Sequence, residues 1–259
     1  MLNHANFYWG SRLHAAVFIG IFAGVAGIWF SGVIMLKASR KTVHQRRMEK
    51  FRRAGLYLAT SQAMSCGRST IEIVRQALAG GVRLIQLREK DLPLRKFKRL
   101  AFKIRAMTKR AGALLIINDR LDVALAVAAD GVHLGQDDFP VAEARKIAPD
   151  LIIGASSHSL KEALDAQKAG ASYVNIGPLF PTKTKEWSRE FLGIKKMRRI
   201  SVKLKISFTV MGGIKAEHIP DLIKAGAETI AVVTAVTAAK NPRMAAEELL
   251  GLAKQTAAR

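Results

Sequence analysis

The sequence predicts an α/β protein whose main domain is a closed (β/α)8 barrel, also called a TIM barrel. From Leu56 onward, eight short apolar runs alternate with longer amphipathic stretches of helical period. A break of the form Ala-Gly-Gly or Ala-Gly-Ala precedes several runs and is typical of a glycine that ends a helix in the left-handed conformation. The segment Leu56–Ser61 lacks the Gly-rich turn that an open doubly wound sheet needs after its first strand, so the closed barrel is favoured.

The predicted elements alternate along the chain in the order strand, helix, strand. The predicted strands are Leu56–Thr60, Leu84–Arg88, Leu114–Asn118, Gly131–Leu134, Ile152–Ala155, Tyr173–Ile176, Ser207–Met211 and Thr229–Thr234. The predicted helices include Ile71–Ala79, Leu94–Arg110, Leu121–Ala129, Ala142–Ala148, Leu160–Ala169, Ala216–Ala225 and Pro242–Thr256. In such a barrel the functional residues lie at the carboxyl ends of the strands, so the polar residues after each apolar run are the candidates.

The end of the second strand carries the clearest cluster of polar residues. Alternate side chains on a strand point to the same face, so Gln86, Arg88 and Lys90 share one face and Leu87 and Glu89 the other. Two cations and an amide at the end of a buried strand suit a flat, anionic ligand. The alternative is a solvated strand end that leads into a charged loop.

Two aspartates come after the third and fourth strands. Asp119 and Asp138 would converge at one rim, where carboxylates, water and substrate phosphates suit Mg²⁺. The alternative is that each aspartate caps the next helix, for which Asp119 is well placed. The neighbouring cations Arg88, Lys90 and Lys185 favour a metal–diphosphate site, because metal and cations would share the anionic charge.

The later loops add candidates for phosphate binding and proton transfer. Gly212-Gly213 lets backbone N–H groups approach a phosphate, in the loop where these barrels commonly bind one, and the alternative is a tight turn. The loop Thr182–Lys185 supplies hydroxyls and cations that could close over substrates, or is a solvated linker. His133 and His158 are candidates for proton transfer, although His133, which lies in an apolar strand, is interpreted as a satisfied core histidine.

Charge and cysteine content limit the partners only broadly. The formal net charge of +22 suits phosphorylated metabolites, nucleic acid or an acidic membrane surface. The single cysteine, Cys66, excludes an internal disulfide and is interpreted as structural or incidental.

The first 53 residues differ from the rest of the chain. Ala15–Leu36 has 22 residues and no charge, enough for a membrane-spanning hydrophobic helix outside the barrel. The many cations after Leu36 place the chain beyond that residue in the cytoplasm by the positive-inside rule. Residues 37–53 would be a basic linker or a helix lying on anionic headgroups. The alternative is a misplaced start codon with a true start at Met48 or later. The predicted domains are therefore residues 1–53 and residues 54–259.

Six ordered motifs at the strand ends resemble the thiamine-phosphate synthase family. They are Gln86-Leu87-Arg88-Glu89-Lys90, Asn118-Asp119, Asp130–Asp138, Gly154–Ser159, Gly177–Lys185 and Gly212-Gly213-Ile214. The resemblance spans about residues 55–250 and implies transfer of a pyrimidine methylene from diphosphate to the nitrogen of a hydroxyethylthiazole phosphate. It also implies a reaction in which the carbon–oxygen bond breaks first.

The resemblance implies a role for each matching residue. It assigns the pyrimidine diphosphate to Gln86, Leu87, Arg88, Glu89, Lys90, Asn118 and Ser156. It assigns the thiazole phosphate to Thr182, Lys183, Thr184, Gly213, Val233 and Thr234. Arg88, Lys90 and Lys185 would be catalytic through the leaving pyrophosphate, and Asp119 and Asp138 would hold Mg²⁺ as the cofactor.

Two alternative functions remain open from the sequence. A thiazole tautomerase of the same superfamily would share the barrel and the phosphate pocket but would not need the full cation set. A membrane-tethered protein that binds RNA or another anion would use the basic charge, although aromatic residues make up only 7% of the chain. In the favoured interpretation the substrates would be small molecules, and no nucleic acid is expected. The chain could associate with a membrane through residues 15–36. A homo-oligomer is an open alternative.

Overall fold

The computed structural model describes residues 41–182 and 190–257. Eight parallel strands close into a barrel in which each strand pairs with the next and β8 pairs with β1. The strands are β1 (Leu56–Ala59), β2 (Leu84–Leu87), β3 (Leu114–Asn118), β4 (Gly131–Leu134), β5 (Ile152–Ser157), β6 (Tyr173–Ile176), β7 (Ser207–Val210) and β8 (Thr229–Val232). The predicted (β/α)8 barrel is therefore confirmed.

The helices of the described residues pack against this barrel, most of them around its outside. They are α1 (Val43–Arg52), α2 (Thr70–Ala79), α3 (Leu94–Arg110), α4 (Leu121–Ala126), α5 (Val141–Ile147), α6 (Leu160–Lys168), α7 (Gly193–Ser201), α8 (Ile219–Lys224), α9 (Thr234–Thr237) and α10 (Pro242–Ala257). The predicted Ala216–Ala225 helix instead begins as a short 3₁₀ turn, Ala216–His218, and continues as α8 with Pro220 in its first turn.

Local sequence explains where several helices begin and end. The side chains of Ser69 and Ser159 cap α2 and α6 by accepting hydrogen bonds from the backbone N–H groups of Glu72 (3.2 Å) and Glu162 (3.1 Å). At the predicted glycine breaks, positive φ angles occur at Gly81, Gly112, Gly170 and Gly226, with values between +65° and +98°. These left-handed residues turn the chain from each helix into the next strand.

Strand parity separates the inside of the barrel from its outer wall. Leu87 is fully buried in the layer between strands and helices, while its neighbour Gln86 points into the barrel interior. The interior contains a second apolar cluster, to which Tyr57 and Tyr173 contribute. The predicted strands therefore place their side chains on the expected faces.

Helix α1 covers the end of the barrel where the strands begin. Its Met48 and Phe51 are buried, and the Phe51 ring lies 4.5 Å from that of Tyr173 inside the barrel. Arg47 approaches the Asp130 carboxylate at 3.5 Å. Residues 43–52 thus pack against the barrel and are neither an extended linker nor a helix with its apolar side free. The predicted domain boundary after residue 53 would separate α1 from the barrel against which it packs.

The predicted hydrophobic helix at residues 15–36 lies outside the described residues. Among the helices of residues 41–182 and 190–257, none is both long and apolar enough to cross a membrane.

Candidate active site

A cavity of about 330 Å³ opens at the carboxyl ends of the strands. Residues predicted from seven different strand ends line it together, because parallel strands bring their carboxyl ends to one rim. Among the predicted site residues, the cavity is lined by Gln86, Arg88, Lys90, Asn118, Asp119, Asp138, Ser156, Thr182, Gly213, Val233 and Thr234.

Two aspartates and a lysine form a charged cluster on one wall. Lys90 Nζ lies 3.6 Å from an Asp119 carboxylate oxygen. Asp119 has the unusual backbone φ of 61°, and its N–H donates to the carbonyl of His133 at 2.8 Å. Asp138 accepts a hydrogen bond from the Gly135 N–H at 2.6 Å. The fixed backbone of Asp119 therefore holds its carboxylate toward Lys90 and Asp138.

Neither aspartate serves as the helix cap considered from the sequence. The residue at the cap position of α4 is Arg120, and that of α5 is Pro140, and neither helix has a side-chain cap. Burial, followed by the contact with the Asp138 carboxylate, raises the pKa of Asp119 to about 6. Two carboxylates in contact repel each other unless a proton or a cation lies between them.

This pair could hold a hard divalent cation. Carboxylate oxygens are suitable Mg²⁺ ligands, and Mg²⁺ commonly takes only one or two of them together with water and phosphate oxygens. Within residues 41–182 and 190–257, no cluster of three or more His, Cys, Asp or Glu side chains has the geometry of a metal site. The two aspartates fit an ion that takes its remaining ligands from water and substrate.

The loop after β7 is shaped for a close ligand approach. Gly212 and Gly213 both have positive φ, at +97° and +65°. A Cβ atom on either one would collide with the neighbouring segment Pro178–Pro181. Only glycine therefore fits here, and its bare backbone lies on the cavity wall beside Val233 and Thr234.

A chain of buried hydrogen bonds runs beneath the cavity. Gln86 Nε2 donates to the Tyr57 hydroxyl at 2.7 Å, and that hydroxyl lies 3.0 Å from the Tyr173 hydroxyl. The chain continues from Tyr173 to His133 Nδ1 at 2.9 Å, and from His133 Nε2 to the Ser156 hydroxyl at 3.0 Å. It links Gln86 on β2 to Ser156 on β5 and fixes both side chains on opposite walls.

His133 is a satisfied histidine, as interpreted from the sequence. Both of its ring nitrogens have partners, and burial lowers its pKa to about 4, so the ring is neutral near pH 7. It also lines the cavity, as does His158, whose Nδ1 lies 2.9 Å from the Glu162 carboxylate.

The structure reveals one further polar group that the sequence did not single out. Asn175 on β6 is 3% exposed and lines the cavity, and its Nδ2 has no hydrogen-bond partner within the described part of the chain. Its register neighbours are Ser156 on β5 and Thr209 on β7. A buried amide donor without a partner is costly, so this group is positioned to receive an acceptor atom from a ligand or water.

Two predicted binding residues do not reach the cavity. Leu87 is buried in the outer layer of the barrel. Glu89 accepts hydrogen bonds from the Gln62 N–H and the Thr70 hydroxyl, each at 2.8 Å. Both side chains turn away from the interior, so a substrate contact at either residue would have to come from its backbone, and these two roles stay predictions. Lys183, Thr184 and Lys185 lie outside the described residues.

The fold and the site together define a class: a (β/α)8-barrel protein with an acidic pair, cations and a glycine cradle at one mouth, suited to phosphorylated ligands. The family model described as thiamine monophosphate synthase matches residues 56–236. The chain belongs to this family.

Relatives and solved structures agree with this membership. The chain is 43% identical over 201 residues to the thiamine-phosphate synthase of Chloroflexus aurantiacus, covering 78% of this chain and 93% of the relative. It is 44% identical over 194 residues to the thiamine-phosphate synthase of Pyrococcus furiosus, covering 75% and 92%. The solved thiamine phosphate pyrophosphorylase from Pyrococcus furiosus superposes with a TM-score of 0.74 at 40% identity, covering 80% of this chain and 98% of that one.

Proposed function

We propose that this chain is a thiamine-phosphate synthase, a transferase of thiamine biosynthesis. It would join 4-amino-2-methyl-5-(diphosphooxymethyl)pyrimidine to a hydroxyethylthiazole phosphate and release pyrophosphate. Family membership supports this activity, and one structural observation gives it the strongest further support. Lys90, Asp119 and Asp138 meet on one wall of the cavity, where a diphosphate and a divalent ion could be bound together.

The pyrimidine would lie over the hydrogen-bonded floor. Gln86, Asn118 and Ser156 offer amide and hydroxyl groups to the ring nitrogens and amino group, and the buried chain through His133 holds two of the three in place. A rigid floor orients the methylene carbon for attack and lowers the entropic cost of the reaction.

Departure of pyrophosphate is the step that most needs the protein. The bond between the methylene carbon and the diphosphate oxygen breaks, and its electron pair leaves with pyrophosphate. The thiazole nitrogen then uses its lone pair to form the new carbon–nitrogen bond. Arg88, Lys90 and Lys185 would neutralise the charge that develops on the leaving group, which is commonly the largest contribution to catalysis.

Mg²⁺ would be held by Asp119 and Asp138, whose carboxylate contact needs a positive charge to be relieved. When bound, the ion would supply further charge neutralisation to the diphosphate oxygens.

The thiazole phosphate would bind across the cavity from this cluster. Gly213 offers a bare backbone, and Thr182, Val233 and Thr234 lie beside it on the cavity wall. Lys183 and Thr184 are proposed to join them on the family resemblance. This arrangement would separate the two anionic groups and would leave the thiazole nitrogen facing the pyrimidine methylene.

The test is an assay of the full chain with both substrates and Mg²⁺. We expect thiamine phosphate and pyrophosphate to form together, with neither formed when Mg²⁺ is removed by chelation. Isomerisation of a thiazole phosphate without pyrophosphate release would overturn the proposal in favour of the tautomerase alternative. A chain that binds both substrates but forms neither product would also contradict it.

The location of the protein and its oligomeric state are proposals separate from its reaction. Residues 15–36 are proposed to tether a cytoplasmic catalytic domain to the membrane, supported by their 22 uncharged positions and the cations beyond Leu36. Sedimentation of the full chain with membranes and resistance to carbonate extraction would be the expected result, and recovery in the soluble fraction would contradict it. A homo-oligomer would be tested by the mass of the full chain in solution.

A further inference from the structure

The end of the barrel opposite the cavity is strongly basic. We use the name basal face for the helix ends and connecting segments that lead into the amino ends of the strands. Because every helix of a (β/α)8 barrel runs back antiparallel to its strand, the last turns of the helices lie together on this face. Several of these last turns carry cations, among them Lys109 and Arg110 of α3 and Arg198 and Arg199 of α7.

Helix dipoles explain only part of this charge. A cation in the last turn of a helix is favourable in any protein. The connecting segments carry further exposed cations, Arg53, Arg83, Lys203 and Lys205, of which Arg83 also donates to the Leu78 carbonyl at the end of α2 (3.0 Å). The exposed acids in those segments are Asp150 and Glu228. The excess of positive charge is thus a property of the face as a whole.

Exposed apolar side chains lie among these cations. Val202, between the α7 cations and Lys203, is 68% exposed, and Ile147, next to Lys146 at the end of α5, is 56% exposed. Large exposed aliphatic groups next to lysines and arginines are typical of surfaces that rest on lipid headgroups.

The basal face is also where the barrel joins the preceding chain. His44 in the first turn of α1 lies 2.9 Å from the hydroxyl of Ser172, which directly precedes β6. The uncharged segment 15–36 ends only five residues before Thr42, the cap residue of α1. The described part of the chain therefore begins at the basal face, close in sequence to an uncharged segment.

We propose that the basal face docks on the anionic headgroups of a lipid bilayer, so that the cavity opens away from the membrane. Each lysine or arginine near an anionic surface contributes about 1 kcal/mol, and the attraction falls off within a Debye length. The strands are four to six residues long, so the cavity mouth lies roughly 13–20 Å further from the lipid and stays open to water-soluble substrates. This docking does not depend on the proposed function.

Lysine footprinting on the full chain tests this proposal with an internal control. Acetylation rates would be measured by mass spectrometry with vesicles of phosphatidylcholine alone and with vesicles that also contain phosphatidylglycerol. We expect several-fold protection of Lys203, Lys205 and Lys224 by the anionic vesicles only, lost at high salt. Lys215 and Lys240, exposed on the loops at the cavity end, should react at the same rate in both.

A double variant, Lys203→Glu with Lys205→Glu, sharpens the test. It should reduce the protection of Lys224 while leaving the melting temperature unchanged, because both side chains are exposed. Equal protection by neutral and anionic vesicles, or protection that spreads to Lys215 and Lys240, would overturn electrostatic docking. Protection of the basal lysines by added RNA but not by anionic vesicles would overturn it in favour of a nucleic-acid partner.

Discussion

The two ends of the barrel use the same residue types in opposite ways. At the basal end, the Asp130 carboxylate receives a 2.6 Å bond from Arg105, lies near Arg47, and accepts the Leu115 N–H at 2.9 Å. At the cavity end, Asp119 faces another carboxylate and has one lysine at 3.6 Å. The first aspartate is satisfied by the fold itself. The fold does not balance the charge of the second aspartate, so a bound cation or ligand must do so.

This difference separates stability from function along the barrel axis. Asp130 fastens α1, α3 and β3 together, whereas Asp119 is held in an uncommon backbone conformation without a structural partner set of its own. Residues in such conformations concentrate at functional sites. Substitutions at the basal end should therefore change folding, and those at the cavity end should change turnover.

The largest expected effect is on turnover in Lys90→Met. Loss of this cation removes charge stabilisation of the leaving pyrophosphate, so kcat should fall by about 10²-fold or more. The melting temperature should change little, because Lys90 is 53% exposed and its ion pair is worth at most about 1 kcal/mol. The matched control is Lys146→Met, which removes an exposed ion pair with Glu143 and should leave kcat unchanged. Equal turnover by Lys90→Met and Lys146→Met would contradict the role of Lys90 in stabilising the leaving pyrophosphate.

At the other end, Asp130→Asn should act on stability. Removing one partner of a buried ion pair costs about 3–5 kcal/mol, and Asp130 is only 8% exposed. Denaturant unfolding should show this loss, while kcat of the folded fraction stays close to that of the unmodified chain. A large fall in kcat without a loss of stability would show that the two ends are not separated as described.

The partnerless amide of Asn175 offers a test inside the cavity. If it donates to the pyrimidine, Asn175→Leu should lower kcat/KM for the pyrimidine diphosphate by about ten-fold or more, the cost of leaving an acceptor unpaired. KM for the thiazole phosphate should not change. The control is Thr209→Val, because the Thr209 hydroxyl is also buried without a partner in the described chain but does not line the cavity. Thr209→Val should leave the KM values of both substrates unchanged. If Thr209→Val and Asn175→Leu changed them alike, Asn175 would have a structural role.

The smallest expected effect is a pH dependence of the metal requirement. The pKa of Asp119 is raised to about 6, above its ordinary value, so its carboxyl gains a proton as the pH falls through 6. A protonated carboxyl is a poor metal ligand, so the Mg²⁺ concentration for half-maximal activity should rise below pH 6. Asp119→Asn should bind Mg²⁺ weakly at every pH and lose this dependence. A metal requirement that is flat from pH 5 to 8 in the unmodified chain would contradict this.

Much of the fold and of the cavity wall could be predicted because both depend on short-range periodicity. Strand parity alone placed Gln86, Arg88 and Lys90 on one face, and the carboxyl-end rule gathered them with Asp119 and Asp138. The same parity turns the side chains of Leu87 and Glu89 to the other face, so the roles that the motif implies for them do not follow from parity.

The remaining features depend on long-range packing that the sequence does not display. Helix α1 buries only Met48 and Phe51 among many charged residues, so its composition resembles a solvated linker. The bond between Tyr57 and Tyr173 joins β1 to β6 across the barrel and needs its closed geometry. Asn175 is a neutral residue inside an apolar run, and its missing partner becomes visible only when its neighbours are in place.

The most direct test of the central claim is the rate of pyrophosphate release by Asp119→Asn and the unmodified chain at matched stability. The account predicts that both chains melt at nearly the same temperature, and that the unmodified chain releases pyrophosphate in equal amount with thiamine phosphate. The variant should be slower by orders of magnitude. Near-normal pyrophosphate release by the variant would contradict the claim that the carboxylates at the cavity mouth serve the departing diphosphate.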